Sequence, residues 1–138
     1  MIKQFVVLLL LLFLTSMIYA QESNILDKVE SSGRSWLELV DQGNYQESWK
    51  NLSSLLKAKT SAAEWIKLIT ALRASRGAIS ARYIATAGST KTLSGFTEGE
   101  YVQLQFYTTF TKKGLALETI TLTKTPPETW QVLEYSIK

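Results

Sequence analysis

The chain has 138 residues, 46% of them hydrophobic and 20% charged, with 15 basic against 12 acidic side chains and a net charge of +3. It contains no histidine and no cysteine, which excludes Ser-His-Asp and Cys-His catalysis, the usual zinc sites and any disulfide. Beyond Lys3 the basic residues are scattered from Lys28 to Lys138 in runs no longer than two, so no nucleic-acid surface is expected. Aspartate occurs only at Asp27 and Asp41, without a calcium-loop pattern, and neither metal nor cofactor is expected.

The first segment reads as an export signal. Lys3 supplies a positive start, Phe5 to Leu14 is a continuous apolar run, and Ala20 is a small residue of the kind that precedes a signal-peptidase cut. The stretch from Phe5 to Ala20 is shorter than the ~20 residues that span a bilayer as a helix, so cleavage after Ala20 is preferred to retention as an anchor. Residues 21–138 are then expected to form one soluble domain, with no membrane association after cleavage.

Helix one is expected over residues 24–42. Ile25, Val29, Gly33, Trp36 and Val40 recur at helical spacing, Asn24 is a candidate N-cap, and Gly43 suits a left-handed C-cap. Asn44 and Glu47 have the spacing of a capping box, which starts a short helix from Tyr45 to about Leu52. Residues 53–60 are ambiguous, with Leu55 and Leu56 turned inward and Lys57 and Lys59 wet. Ser61 and Glu64 form a second capping box opening helix three, Ala62 to about Arg76, closed by Gly77.

After Gly77 the hydrophobic period changes from helical to alternating. Strands are expected over 78–87, 100–110, 115–124 and 129–138, with a polar loop from Gly88 to Glu98 and a turn at Pro126-Pro127. Helices followed by strands joined through short turns argue an α+β fold. Three N-terminal helices would pack on one face of a four-stranded antiparallel meander sheet.

Many of these positions carry a family resemblance. They are Trp36-Leu37, Asp41, Gly43, Tyr45, Ser48 and Trp49 in the helical part, Arg73, Gly77 and Arg82 in the middle, and Gly99, Tyr101, Phe106, Thr109, Phe110, Lys113, Glu118-Thr119, Trp130 and Tyr135 in the strands. On these residues the sequence resembles the bacterial exported family called domain of unknown function 4019. Thr97 and Glu98 stand where that family usually has a proline turn, and Gln131 and Glu134 replace its usual Arg and Gly. The resemblance implies export to the periplasm of a Gram-negative cell and supplies no activity. The implied fold is similar to the nuclear-transport-factor-like and cystatin-like group.

Glu118 is the sharpest anomaly in the pattern. It shares a strand face with Ala116, Ile120 and Leu122, so alternation points it at the core. A buried carboxylate must find a cation or take up a proton, and Arg82, Arg73 and Arg76 are the candidate cations. One reading is a structural ion pair. The other is a pocket carboxylate doing acid–base work beside a tyrosine such as Tyr83 or Tyr135, in a cavity between sheet and helices. A third places Glu118 at a strand end in water. The aromatic set from Trp36 to Tyr135 reads as core before it reads as a ligand cavity. Tyr101, Gln103, Gln105 and Tyr107 define a candidate interaction face on the expected outer side of strand two, with ordinary cross-strand pairing as the alternative. The motifs are otherwise accounted for as caps, core and turns. The expected function is a non-enzymatic periplasmic binding or interaction module whose partner is a protein or small ligand, and the alternative is a small-molecule binder or enzyme around Glu118.

Overall fold

A computed structural model describes residues 2–126 and 129–138. Its elements are α1 (Ile2–Asp41), α2 (Tyr45–Lys50), α3 (Ser54–Lys57), α4 (Ala62–Ala74), β1 (Ile79–Thr90), β2 (Tyr101–Phe110), β3 (Gly114–Thr125) and β4 (Thr129–Ile137). The strands form one open antiparallel sheet in the order β1-β2-β3-β4, so the fold is α+β with a meander. Pro127, expected in the turn before β4, lies outside the described residues.

The helical half differs from the expected three helices. α1 is a single helix of 40 residues, because nothing between Tyr19 and Asn24 breaks it: the linking residues carry no Gly or Pro. Asn24 therefore lies inside α1 and caps nothing. The ambiguous stretch after Leu52 supplies the extra one-turn α3, opened by the Ser53 side chain accepting from the Leu55 amide.

One expected capping box forms and one does not. At α4 the Ser61 hydroxyl accepts from the Glu64 amide while the Glu64 carboxylate accepts from the Ser61 amide. The bond from the Ser61 amide, and then one that the Ser61 hydroxyl donates to the same carboxylate, hold the Glu64 carboxyl below its usual value. At α2 the Asn44 side chain makes no cap bond; its amide donates to Gln42, and Glu47 turns to Lys50. Corner geometry decides this, since Gly43 is left-handed (φ +76°) and the Asn44 backbone is not extended (ψ 57°).

β1 runs to Thr90, three residues beyond its expected end, and carries register shifts at Ile79/Ala81 and Ile84/Thr86. Gly77, also left-handed (φ +79°), lets the chain turn from α4 into the sheet, and a Cβ there would strike the Thr111 hydroxyl.

The core sits between α1 and the inner sheet face. Val29, Trp36, Leu37 and Val40 pack against Val102, Leu104, Phe106, Ile120, Leu122 and Val132. Helix and sheet approach closely at Gly33: a Cβ there would lie 3.0 Å from Leu104 Cδ1. Burying each such aliphatic side chain contributes about 1.5–3 kcal/mol. The tryptophans also satisfy their polar ends. Trp36 donates to the Ser48 carbonyl and Trp65 to the Ser48 hydroxyl, both at 3.0 Å, so one fully buried serine ties α1, α2 and α4 together. Trp36 lies edge-on to Tyr135, with ring centroids 5.3 Å apart. Trp36, Trp65, Phe106 and Phe110 are buried in the core, and Tyr45, Trp49, Trp130 and Tyr135 pack against it partly exposed.

Candidate functional site

Glu118 is completely buried. Alternation along β3 turns it inward, and the sheet register places it opposite Phe106 on β2 and Ile137 on β4. Each carboxylate oxygen is occupied. Oε1 accepts from Arg82 Nε at 2.8 Å and from the Thr108 hydroxyl, and Oε2 accepts from the Tyr135 hydroxyl. An ionic group removed from water is tolerated only when such bonds replace its hydration.

Arg82 reaches Glu118 from β1 and continues to α1. Its Nη1 and Nη2 donate to the two oxygens of Asp41 at 2.6 and 3.0 Å, a bidentate pairing. Asp41 also accepts from Arg73 Nη1 at 2.9 Å. Two carboxylates and two guanidiniums thus alternate from α4 through the end of α1 to the sheet: Arg73, Asp41, Arg82, Glu118. The formal charges cancel. Burial acts to lower the Arg82 pKa, but the bonds to Asp41 and Glu118 outweigh it and hold that guanidinium above its ordinary value. Burial, and then the neighbouring Glu118 charge, pushes the Tyr135 phenol well above its ordinary value.

The expected site residues divide accordingly. Arg82 is the cation on Glu118. Arg73 belongs to the same network but pairs with Asp41, not Glu118. Its guanidinium carbon lies 5.2 Å from the Phe110 ring centroid, and its buried Nε has no partner among the described atoms. Arg76 stays out of the network: its Nε donates to the Leu72 carbonyl that ends α4, and its guanidinium stacks on Phe110 at 5.5 Å. Tyr135 is the tyrosine at Glu118, whereas Tyr83 is 69% exposed on the other sheet face. Glu118 does not lie at a wet strand end.

Two members of the network escaped the sequence reading. Thr108 is the one polar residue on the inward positions of β2, between Phe106 and Phe110, and that break in an apolar stripe was its signal. Asp41 sits in the last turn of α1, where the helix dipole disfavours negative charge. A carboxylate placed against the dipole implies a cation elsewhere.

The expected interaction face is only partly a surface. Tyr101 is 2% exposed and offers no surface: its hydroxyl donates to the Thr97 carbonyl, and its ring packs on the Gly99 backbone where the loop before β2 folds over it. Gln103 and Gln105 lie across from Thr121 and Thr119, and Gln105 also accepts from the Thr86 hydroxyl. Tyr107 is 54% exposed and pairs in register with Tyr83 on β1 and Leu117 on β3. Exposed Leu115 follows in the same hairpin. The outer-face patch is therefore centred on Tyr83 and Tyr107. The strand-three face expected to be solvated is also partly covered, since Thr121 and Thr123 are buried.

Among the described residues no group of three or more His, Cys, Asp or Glu side chains is arranged to hold a metal. A helix-backed antiparallel meander, held by a charge-balanced network that is buried at Glu118 and partly exposed at Asp41, is the class this geometry defines. The chain belongs to the family described as Protein of unknown function (DUF4019), whose model matches residues 32–135. That span contains every member of the network. Comparison with curated proteins gave no match.

Proposed function

We propose that the protein is a non-enzymatic, exported binding or interaction module acting in the periplasm of a Gram-negative cell, with residues 21–138 as its mature soluble domain. The enclosure of Glu118 carries the non-enzymatic part of this reading. Its oxygens are occupied by Arg82, Thr108 and Tyr135, and none of its surface is open to a substrate. A general acid or base must come within hydrogen-bond reach of the proton it moves. The acid–base alternative around Glu118 is therefore disfavoured.

Export is supported by the character of residues 6–19. Their large apolar side chains, from Val6 to Tyr19, are 52–73% exposed around the whole helix circumference. Such a surface is not stable in water and suits a segment that is delivered to a membrane and removed. The helix is long and apolar enough to cross a membrane, a property that signal sequences share.

The surface proposed for a protein partner is the Tyr83–Tyr107 patch, since exposed tyrosines flanked by leucines suit contact residues. The test is co-purification from periplasmic extract with the wild type and with a Tyr83→Ser/Tyr107→Ser variant. A partner held by the wild type and lost by the equally stable variant supports the reading. Recovery of the same partners with both removes this face from consideration.

A further inference from the structure

One opening among the described residues is remote from Glu118. It is a cleft of about 660 Å³ at the other end of the sheet, where α1 overhangs the last row of strand residues. That row is set by the register: Thr90 pairs with Tyr101, and Lys124 with Trp130. Ile25 and Leu26 of α1 and Trp130 of β4 form its apolar side, with the buried Tyr101 and Val102 beneath. The wall is rigid on one side, since Tyr101 is fixed by its bond to Thr97 and its packing on Gly99. The volume is that of ordinary small-ligand sites.

The rim is cationic. Lys28, Lys91 and Lys124 stand around the cleft with Glu22 and Glu100. Glu100 is engaged by Lys124 at 3.6 Å. Lys28 and Lys91 make no ion pair among the described residues, which leaves two cations against Glu22. Among the described residues, Ile18 alone of the lining lies within the segment proposed to be removed, and Leu26, Lys28, Lys91 and Trp130 lie beyond it.

We propose that this cleft binds a single-chain amphipathic carboxylate, with its alkyl chain along Ile25, Leu26 and Trp130 and its head group between Lys28 and Lys91. An apolar wall beneath unpaired lysines is complementary to that chemistry and not to a neutral or cationic amphiphile. The site is independent of the outer-face patch, so failure of either leaves the other standing.

Trp130 lines the cleft and reports on it. Protein purified after expression of the full chain is titrated with decanoate, below its micellar concentration, while tryptophan fluorescence is followed. The expected result is a saturable change that is absent in Trp130→Phe, while decanol gives much weaker binding. Lys28→Glu/Lys91→Glu should weaken decanoate by about tenfold or more, and Glu22→Gln should tighten it. Circular dichroism establishes that each variant is folded; should the double variant not fold, the Glu22→Gln comparison decides. The proposal is overturned by no saturable change, by equal affinity for decanol, or by affinities indifferent to the rim substitutions.

Discussion

Arg82 donates its Nε to Glu118 at 2.8 Å and keeps both terminal nitrogens for Asp41. One guanidinium thereby joins the centre of the sheet to the end of the long helix. Arg82 side-chain exposure is 11% and that of Glu118 is zero, so this is an interior connection and not a surface ion pair. Its value should differ in kind from that of the exposed pairs on the same molecule.

Asp41 provides the first comparison. Asp41→Ala leaves Arg73 and Arg82, both largely buried, without their shared carboxylate. We predict a loss of about 2–4 kcal/mol in urea unfolding, somewhat reduced because Asp41 is partly exposed. Glu47→Ala breaks a pair whose side chains are 52% and 55% exposed, and should cost less than about 1 kcal/mol. Equal effects for the two substitutions would contradict the network.

The two helix starts provide a second. Ser61→Ala removes a hydroxyl that caps α4 and should cost about 1 kcal/mol. Asn44→Ala removes a side chain that caps nothing in α2, and its effect should lie within about 0.5 kcal/mol of zero. Paired denaturation curves distinguish them.

These examples show where sequence pattern determines structure and where it does not. The meander follows from alternation and from left-handed glycines such as Gly114 (φ +76°), which are local properties. The inward direction of Glu118 follows from the same alternation, but the choice of Arg82 among the three candidate arginines does not: the sheet register, which sets Arg82 beside Thr108, makes it. Asp41 could not be found that way: its partners lie 32 and 41 positions away, and only the tertiary fold unites them. Its position against the helix dipole was the legible trace. Tyr101 misled because alternation describes regular strand, and at the first residue of β2 the preceding loop, not the sheet, determines what covers the side chain. Asn44 had the right spacing for a cap but not the extended backbone that capping requires.

Tyr135 gives a pH prediction. Its phenol is pushed up by burial and by Glu118, whereas in the unfolded chain it titrates near the ordinary value of about 10. Below about pH 10 both states keep the proton and the difference contributes nothing to the slope. Above it the unfolded chain loses a proton that the folded chain retains, so stability falls as pH rises. Tyr135→Phe should make this alkaline decline shallower. At neutral pH it should cost about 1–3 kcal/mol, because Glu118 Oε2 loses its donor. Urea midpoints measured between neutral pH and pH 11 check both signs; an unchanged alkaline slope would contradict the assignment.

The outer face should behave in the opposite way. Tyr83→Ser and Tyr107→Ser alter exposed side chains and should each change stability by no more than about 0.5 kcal/mol. Tyr101→Ser removes a buried ring and its hydrogen bond, and should cost about 3 kcal/mol or more. Thermal unfolding of the three variants separates surface from core on a single strand pair.

The most direct test of Glu118 as a structural ion partner is a double-mutant cycle with Arg82, followed by urea unfolding at neutral pH. Arg82→Ala strands a buried carboxylate and is predicted to cost about 3–5 kcal/mol. Glu118→Ala is predicted to be similarly severe, and the double variant should be more stable than the sum of the single losses implies, by at least about 1.5 kcal/mol. Strict additivity, or an Arg82→Ala protein as stable as the wild type, would contradict the account and return Glu118 to consideration as a free pocket carboxylate.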